Sequence, residues 1–468
     1  MSQLKNEIAN LSPALRTIFE QRLKQKREAA PGLSTGLRDV GAGSNHFDDE
    51  NLVLADSVEG VEGLLSKFYG RFPWPWQAMK FDYLEDPNFE IVMLNQDLGD
   101  WEHRTIPTHP AIWVGGCGTN QALSTALRFP HATVVGSDIS SKSLEICANN
   151  ARQLGVANLE LREESLNHVT YREQFDYVIC TGVIHHNADP EISMARLAAA
   201  LRPNGIMEMN VYNRYHRTVT SSFQKAVRIF GAQRGTVDFE DDLKVAKQIV
   251  DNFPAREVLE KGFIQYMDWS ESDFADLLVQ PVEHSFTVES LEELGERCGL
   301  EFLYPCISSY VKALSTLFWN MEFAEPELRD LYESLPDTRR WQVTNLLLQE
   351  KSPMLWFYLH HQDRGFPRKT EKQICDEFLE TRFERVSTYQ RSFIREEGGH
   401  YRLSPQAVTY PLAQPARSEK EIVELADGQR TMRDIFRELR IEPTFQRVNT
   451  TRIKLTTTAF PYLRAVSN

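Results

Sequence analysis

The stretch AIWVGGCGTNQA, residues 111–122, decides the fold because an apolar run leads directly into a glycine turn. A buried strand that ends at Gly116 and Gly118 lets the backbone approach a ligand closely, and it points the first amides of the next helix at that ligand. The dinucleotide pattern G-x-G-x-x-G/A requires a small residue where this chain has Gln121. The turn therefore predicts a ligand site, and Gln121 makes NAD a less favoured ligand for it.

Strand and helix patterns alternate from Thr108 to Asn213, with helical runs between the apolar ones. Such alternation is typical of parallel βαβ units in a doubly wound sheet. We therefore predict an α/β fold. The predicted strands are residues 111–114, 132–140, 158–165, 175–184 and 206–213.

The pattern changes on both sides of this block, which predicts six segments. The segment after the fifth strand is mostly helical and is expected to cover the carboxyl ends of the strands, where ligands bind. The segments are an N-terminal helix and linker (1–45), an aromatic cap (46–107), the cofactor-binding core (108–215), a helical insertion (216–284), the rest of the core (285–364) and a winged-helix-like module (365–468).

Composition narrows the class of partner. The chain has 468 residues and a net charge of −14, so its surface repels polyanions and we predict no nucleic-acid partner. No apolar stretch reaches the ~18 residues that span a bilayer, so we predict no membrane partner. The six cysteines are scattered without a C-x-x-C pair, which favours a reducing, cytoplasmic setting.

Asp138 ends the second predicted strand, in VVGSDIS. A carboxylate at that position accepts hydrogen bonds from ribose hydroxyls, whichever adenosine ligand is bound. Combined with the glycine turn, it is a moderately specific signal for such a ligand.

Four segments carry a resemblance to a known family: VGGCGTNQA, VVGSDIS, FDYVICTGVIHHNADP and LAAALRPNGIMEMNVYN. In their order and spacing they resemble the class I S-adenosylmethionine-dependent methyltransferases over residues 108–215, less than half of the chain. The resemblance implies a Rossmann-like, mostly parallel seven-stranded sheet. It also implies S-adenosyl-L-methionine as cofactor and S-adenosyl-L-homocysteine as product.

The same resemblance implies a set of cofactor contacts, with the turn at the methionine portion and Asp138 at the ribose. Val114 and Asn120 depart from the family, which has an acid and a glycine there. The usual adenine-binding acid is replaced by REES, so the adenine contact stays open between two residues. The predicted cofactor-binding residues are Gly116, Cys117, Gly118, Asn120, Gln121, Asp138, Ile139, Glu164, Ser165, Thr181 and Gly182.

Acid–base help is needed only where the methyl acceptor bears a proton. His185 and His186 follow the fourth strand, where a neutral imidazole could remove that proton; the alternative is that one ring only closes the cofactor pocket. Tyr69, in KFYGRFPWPW, is the third catalytic candidate, and both Tyr69 and Arg71 could reach the cofactor carboxylate.

Aromatic residues supply the candidate substrate surfaces. Trp74 and Trp76 could line the pocket or simply fix the N-terminal segment on the core. Tyr212, Arg214 and Tyr215 follow the fifth strand and form a second candidate surface. The histidines lack metal-ligand spacing, so we predict no metal site.

The family resemblance implies a methyltransferase. The opening helix LSPALRTIFEQRLKQK, residues 11–26, also resembles the short helices that precede modules of nonribosomal-peptide and polyketide assembly proteins, so we expect a role in specialised metabolism. The expected substrate is a small molecule, such as a polyketide or nonribosomal peptide, with an O, N or activated C acceptor. One alternative is a protein, peptide or carrier-tethered substrate, with a carrier protein as partner. Another is a scaffold that binds the cofactor without catalysis.

Overall fold

The computed structural model describes residues 46–47, 52–54, 57–74, 78–231, 238–262, 270–307, 318–365 and 367–466. Internal contacts divide the chain into two units, Met1–Gly43 and Ser44–Asn468, and only the second is described. The predicted N-terminal helix and linker therefore lie outside the described residues. Trp76 lies outside them as well.

A seven-stranded sheet forms the centre of the described unit. Its strands are β4 (Ala111–Gly115), β5 (Thr133–Asp138), β6 (Leu159–Glu163), β7 (Phe175–Thr181), β8 (Leu201–Val211), β10 (Leu300–Pro305) and β11 (Leu355–His361). The spatial order is β10-β11-β8-β7-β4-β5-β6. Strands β4 to β8 pair in parallel, whereas β11 is antiparallel to both β8 and β10. The predicted Rossmann-like, mostly parallel seven-stranded fold is confirmed.

Strand β4 lies in the middle of this sheet and is buried on both faces. Ile112, Trp113 and Val114 are all fully buried. Successive side chains point to opposite faces, so Ile112 and Val114 join one hydrophobic cluster and Trp113 joins the other. This double burial explains why the strand reads as a continuous apolar run.

Helices cover the sheet. The first five are α1 (Val58–Arg71), α2 (Phe89–Asp97), α3 (Gln121–Arg128), α4 (Ser141–Leu154) and α5 (Pro190–Ala200), and a 3-10 turn spans Ile184–His186. The sheet order reverses between β4 and β7, whose connections leave in opposite directions. A crevice at the carboxyl ends of these two strands is where open α/β sheets bind ligands.

A helical insertion follows β8. It consists of α6 (Arg214–Gly231), α7 (Phe239–Asn252), α8 (Arg256–Gly262) and α9 (Glu271–Leu278). Phe223, Leu243 and Phe274 of the insertion share one hydrophobic cluster with Phe68 and Phe72 at the end of α1. Because the N-terminal segment and the insertion bury a common apolar surface, each fixes the position of the other.

The rest of the chain adds helices and small sheets. The helices are α10 (Val288–Arg297), α11 (Pro326–Glu333), α12 (Asp337–Leu348), α13 (Glu371–Glu380), α14 (Arg417–Leu425), α15 (Met432–Glu438) and α16 (Phe445–Thr456), with a 3-10 turn at Gln349–Lys351. The short strands are β1 (His46–Phe47), β2 (Leu52–Val53), β3 (Lys80–Leu84), β9 (Val282–Glu283), β12 (Arg382–Arg385), β13 (Thr388–Arg395), β14 (Tyr401–Leu403), β15 (Val408–Tyr410), β16 (Asp427–Thr431), β17 (Phe460–Pro461) and β18 (Leu463–Ala465).

The C-terminal module combines helices α13–α16 with a three-stranded antiparallel sheet, β16-β12-β18. Sequence reasoning missed a second sheet, in which β3 from the N-terminal segment pairs antiparallel with β13. One hydrophobic cluster contains Ile91 and Leu98 together with Ile374 and Phe378. The C-terminal module, predicted to begin at residue 365, therefore shares a hydrophobic core with the residues before it. The six segment boundaries stay predictions.

Gly136 in β5 tests the packing of α3 on the sheet. A Cβ there would lie 2.5 Å from Ala122 Cβ, so we predict that Gly136→Ala lowers the free energy of unfolding by about 1–3 kcal/mol, the usual cost of overpacking. The matched control is Gly63→Ala, in the exposed face of α1, where a Cβ meets nothing within 4 Å. The control should stabilise by about 0.5–1 kcal/mol because alanine favours a helix. Denaturant titration of both variants measures this, and equal stabilities would contradict the packing described.

Candidate functional site

The glycine turn closes one side of a cavity at the carboxyl ends of β4 and β7. Gly116 and Gly118 have φ angles of 70° and 53°, in the left-handed region that favours glycine. A Cβ on Gly116 would lie 2.5 Å from Val183 Cγ2, so the turn passes too close to the β7 loop for a side chain. Gln121 Nε2 donates to Thr181 Oγ1 at 2.5 Å and joins the start of α3 to the end of β7.

Asp138 is held at the end of β5 by backbone amides. Its Oδ2 accepts from Gly118 N–H and its Oδ1 from Ser140 N–H, both at 2.8 Å. Burial raises the pKa of Asp138, and the amide hydrogen bonds oppose that rise. A carboxylate has about four lone-pair sites, so both oxygens can still accept hydrogen bonds from a ligand in the cavity.

The end of β6 is tied to helix α1. Ser165 Oγ donates to Glu62, and Asn167 Nδ2 donates to the same Glu62 oxygen at 2.8 Å. Glu164 Oε2 accepts from the Tyr171 hydroxyl at 2.5 Å. Both candidates for the adenine contact therefore line the cavity with their side chains already hydrogen bonded.

His186 lies in the 3-10 turn after β7 and lines the cavity. Its Nδ1 is 2.7 Å from the carbonyl oxygen of Val282. Because a carbonyl only accepts, Nδ1 carries the proton and Nε2 has the free lone pair. Burial lowers the pKa of His186 to about 4, so the ring is neutral at pH 7.

His185 does not line this cavity. Its ring stacks on Tyr212 with 3.8 Å between centroids, and it is fully buried. Neither of its ring nitrogens has a hydrogen-bond partner among the residues that the structure describes. Burial holds its pKa well below the usual value. These features suit a packing role for His185 better than proton transfer.

The N-terminal segment forms another wall. Tyr69 lines the cavity, and its hydroxyl donates to Asp276 Oδ1 at 3.2 Å and accepts from Gln280 Nε2 at 2.6 Å. Trp74 also lines it, and the Trp74 carbonyl accepts from Thr119 N–H at 3.2 Å, beside the glycine turn. Arg71 instead binds the carboxylates of Glu240 and Glu271 at the surface, so the suggestion that it reaches a cofactor is wrong.

The cavity brings together most of the predicted site residues, whose individual roles stay predictions. Those that line it are Tyr69, Trp74, Gly116, Cys117, Gly118, Gln121, Asp138, Ile139, Glu164, Ser165, Thr181, Gly182 and His186. The described residues that do not line it are Asn120, His185, Tyr212, Arg214 and Tyr215. Asn120 instead precedes α3 as its N-cap residue. Arg214 begins α6, and its backbone N–H donates to the carbonyl oxygen of Phe286.

Sequence reasoning missed several residues of the lining. Glu62 and Leu65 lie seven and four positions before Tyr69, so one face of α1 carries all three, and helical periodicity could have indicated them. Asn187 follows the two histidines, and its buried Nδ2 has no hydrogen-bond partner within the described segments. That unpaired donor has the character of a ligand contact.

The cavity suits a nucleoside ligand by its own geometry. Gly182 has a φ of 77°, and a Cβ there would meet no heavy atom within 4 Å, so space opens beside the end of β7. The Asp138 carboxylate and the unpaired Asn187 amide provide an acceptor and a donor. The described residues contain no group of three His, Cys, Asp or Glu that could hold a metal ion. Across the same residues, no helix has both the length and the apolar character to cross a membrane.

Comparison with known sequences finds similar proteins for the central part of the chain. Residues 115–260 match a family model described as a methyltransferase domain. An uncharacterized Synechococcus protein, syc1184_c, is 28% identical over 255 residues, which cover 51% of this chain and 57% of that protein. A ubiquinone biosynthesis O-methyltransferase from Rhizobium etli is 31% identical over 133 residues, 27% of this chain and 50% of that enzyme. The chain thus spans 50–57% of the length of these relatives.

A solved structure shares the fold over a longer range. PKMT2 from Rickettsia typhi, in complex with AdoHcy, superposes with a TM-score of 0.52 and 14% sequence identity. The superposition covers 81% of this chain and 76% of PKMT2. Because it extends beyond residues 115–260, the shared fold includes more than the central domain.

The state of His186 gives a prediction about pH. Its folded pKa, about 4, is below the value of about 6.5 for an exposed histidine, so protonation favours the unfolded chain and stability falls as pH drops from 6.5 towards 4. Between pH 5 and 8 we expect the folded ring to stay neutral with its proton on Nδ1. Nitrogen-15 NMR of the histidine rings, assigned with His186→Gln, measures this; a His186 titration centred near pH 6.5 would refute it.

Proposed function

We propose that this chain, which carries a class I S-adenosylmethionine-dependent methyltransferase domain, methylates an oxygen, nitrogen or activated carbon atom of a small molecule. The family assignment made from the sequence is confirmed by the methyltransferase-domain match of residues 115–260 and by the fold shared with an AdoHcy-bound structure. Transfer of the methyl group by this chain, and the acceptor that receives it, are the proposal.

One observation carries the proposal. The glycine turn, the Asp138 carboxylate and His186 all line a single cavity at the switch point of the sheet. Asp138 is oriented there by Gly118 N–H and Ser140 N–H, so a ribose would meet a carboxylate whose direction is already set. Preorganisation of this kind lowers the cost of ordering the site when the ligand binds.

The chemistry needs little beyond positioning. S-adenosylmethionine, when bound, supplies an electrophilic methyl group on a sulfonium. Holding an acceptor in line with that group can supply about 7–11 kcal/mol of barrier lowering. The walls that would hold the acceptor are Tyr69 and Trp74 from the N-terminal segment and His186 and Asn187 after β7.

A small acceptor is favoured by the way these walls meet. Tyr69 is bound to Asp276 and Gln280, so α1 and the end of the insertion are joined behind the cavity wall that Tyr69 forms. Part of this chain is similar in sequence to ubiquinone biosynthesis O-methyltransferases, which supports a small-molecule acceptor. A polyketide or nonribosomal peptide intermediate is the finer form of this proposal, in a cytoplasmic setting.

A protein, peptide or carrier-tethered acceptor is the second candidate, and the C-terminal region favours it. The strands β13–β15 and the loop after them expose several apolar side chains, which is the character of a surface that contacts a macromolecule. These side chains are Tyr389, Ile394, Leu403, Val408 and Leu412.

Calorimetric titration with S-adenosylhomocysteine tests the cofactor site. We expect the wild-type chain to bind it and Asp138→Ala to weaken binding about 10- to 100-fold, because hydrogen bonds to a charged group are worth about 1.5–3 kcal/mol. The matched control is Asp176→Ala, which removes a carboxylate that accepts from Ala111 N–H at the opposite end of β4. The control should bind normally. Equal affinities of the wild type and Asp138→Ala would contradict the proposed site.

Turnover tests the acceptor class. S-adenosylhomocysteine formation is measured with free phenols, catechols and primary amines, and separately with thioester-loaded carrier protein and unstructured peptides. Methylation of a free small molecule supports the first proposal. Turnover confined to the carrier or the peptides would overturn it in favour of the second candidate. Cofactor binding with no turnover of any of these would favour a cofactor-binding scaffold.

A further inference from the structure

The helical insertion places a buried carboxylate directly behind Tyr69. Asp276 of α9 is only 6% exposed and does not itself line the cavity. Its Oδ1 accepts from the Tyr69 hydroxyl at 3.2 Å and from Gln280 Nε2 at 2.8 Å. Gln280 also donates to the Tyr69 oxygen at 2.6 Å. The three side chains therefore form a closed triangle of hydrogen bonds beside the cavity.

The triangle fixes the direction of the Tyr69 proton. The hydroxyl hydrogen points at Asp276, because Gln280 Nε2 can only donate to the phenol oxygen. Tyr69 is one of the residues that line the cavity, and its oxygen keeps one lone pair that can accept a hydrogen bond. An acceptor molecule with an O–H or N–H group can donate to that oxygen, whereas it could not if the phenol proton pointed into the cavity.

Glu283 is the other carboxylate of this region, and it is committed elsewhere. It accepts from Arg217 Nε at 2.8 Å and Nη2 at 2.5 Å, from Ser221 Oγ at 2.9 Å and from Gln224 Nε2 at 2.8 Å. Arg217 and these hydrogen bonds hold the pKa of Glu283 below its usual value despite its burial. Four donors leave Glu283 no lone pair for a proton, so the two carboxylates have different roles.

Asp276 is not paired in this way. Burial raises its pKa to about 7, while the charge of Arg217 and the hydrogen bonds from Tyr69 and Gln280 oppose the rise. Arg217, whose charge lowers the pKa of Asp276, forms its ion pair with Glu283 and not with Asp276. A buried carboxylate with a pKa near the working pH can take up a proton without a large free-energy cost.

We propose that Asp276 is a positioning residue that orients Tyr69 and receives its proton, so that the phenol oxygen takes the proton of the methyl acceptor. The inference rests on the methyltransferase activity proposed above and applies to acceptors that carry an O–H or N–H proton. It assigns the insertion a part in the reaction as well as in enclosing the cavity.

The step balances. The acceptor X–H bond breaks and a new O–H bond forms on Tyr69, while the original Tyr69 O–H bond breaks and its proton binds Asp276 Oδ1. The X–CH3 bond forms from the electron pair on X, and the pair of the broken carbon–sulfur bond stays on sulfur. The ionised Asp276 becomes neutral, and solvent removes its proton after the product leaves.

His186 could remove the acceptor's proton instead of Tyr69, and the pH dependence of activity distinguishes the two routes. Its Nε2 also has a free lone pair, but with a pKa of about 4 the ring is already neutral throughout the neutral range. Proton uptake by Asp276 requires its ionised form, so activity should rise with pH through about 7. The titratable groups that face the pair are Asp138 and Tyr212 around Tyr69, and Arg217 and Glu283 around Asp276.

The first experiment measures the titration of Asp276 and its coupling to Tyr69, and it needs no methyl-acceptor molecule. Carboxyl-carbon NMR of aspartate-labelled, S-adenosylhomocysteine-bound protein is recorded from pH 5 to 9. A resonance titrating near pH 7 should disappear in Asp276→Asn. In Tyr69→Phe the same resonance should titrate higher, because the lost hydrogen bond had lowered the pKa. An Asp276 that titrates below pH 5, or one that ignores Tyr69→Phe, would overturn the inference.

The second experiment measures kcat/KM against pH with the phenol, catechol or amine that the turnover assay identifies. Asp276→Asn should lose the rising limb near pH 7 and about 100-fold of kcat/KM at pH 8, the usual scale of acid–base catalysis. Its affinity for S-adenosylhomocysteine should equal that of the wild type, since Asp276 lies outside the cavity lining. An unchanged limb in Asp276→Asn would refute the inference.

Asp97→Asn is the matched control. Asp97 is also buried, with a pKa raised to about 7, and it accepts from the Tyr358 hydroxyl at 3.0 Å, but neither residue lines the cavity. This variant should keep the rising limb even if it unfolds at a lower temperature.

The two proposals can fail separately. If wild-type protein fails to bind S-adenosylhomocysteine, the proposed function fails. The NMR titration of unliganded protein still decides whether Asp276 and Tyr69 are coupled.

Discussion

The hydrogen bond from Gly118 N–H to the Asp138 carboxylate is the contact on which the site depends. It joins the glycine turn after β4 to the end of β5, the two elements that form one side of the cavity. A buried carboxylate costs free energy unless donors satisfy it, and here two backbone amides do so. Since the turn can supply an amide only with its glycines in the left-handed region, backbone conformation and ligand recognition are linked.

The opposite side of the cavity depends on packing between distant parts of the sequence. Phe68 and Phe72 of the N-terminal segment share a hydrophobic cluster with the insertion. The polar edge of that contact carries Tyr69 and Asp276, which are separated by 207 positions in the chain. Apolar burial thus supplies the stability, and the polar groups at its border supply the chemistry.

The sequence predicted the parts of the site that are local. The strand, the turn and Asp138 lie within thirty residues of one another, and a buried parallel strand has a distinctive apolar pattern. By contrast, Tyr212, Arg214 and Tyr215 were placed at the cleft because they follow β8, yet they do not line the cavity. Position after a strand fixes a residue's height along the sheet but not the direction of its side chain.

Contacts between distant segments could not be predicted from one sequence. Asp276 and Gln280 carry no motif, and only the packing of the insertion on α1 brings them to Tyr69. The pairing of β3 with β13 was missed for the same reason, because each strand is short and its partner lies about three hundred residues away. His185 and His186 are adjacent in sequence, and only burial and hydrogen bonding distinguish their environments.

A crystal structure of the chain with S-adenosylhomocysteine tests the central claim most directly. The account predicts the ribose hydroxyls within hydrogen-bond distance of Asp138 and the homocysteine portion along the turn from Gly116 to Gly118. Nucleoside density elsewhere on the sheet, or an Asp138 side chain that no longer accepts from Gly118 and contacts no ligand atom, would contradict it.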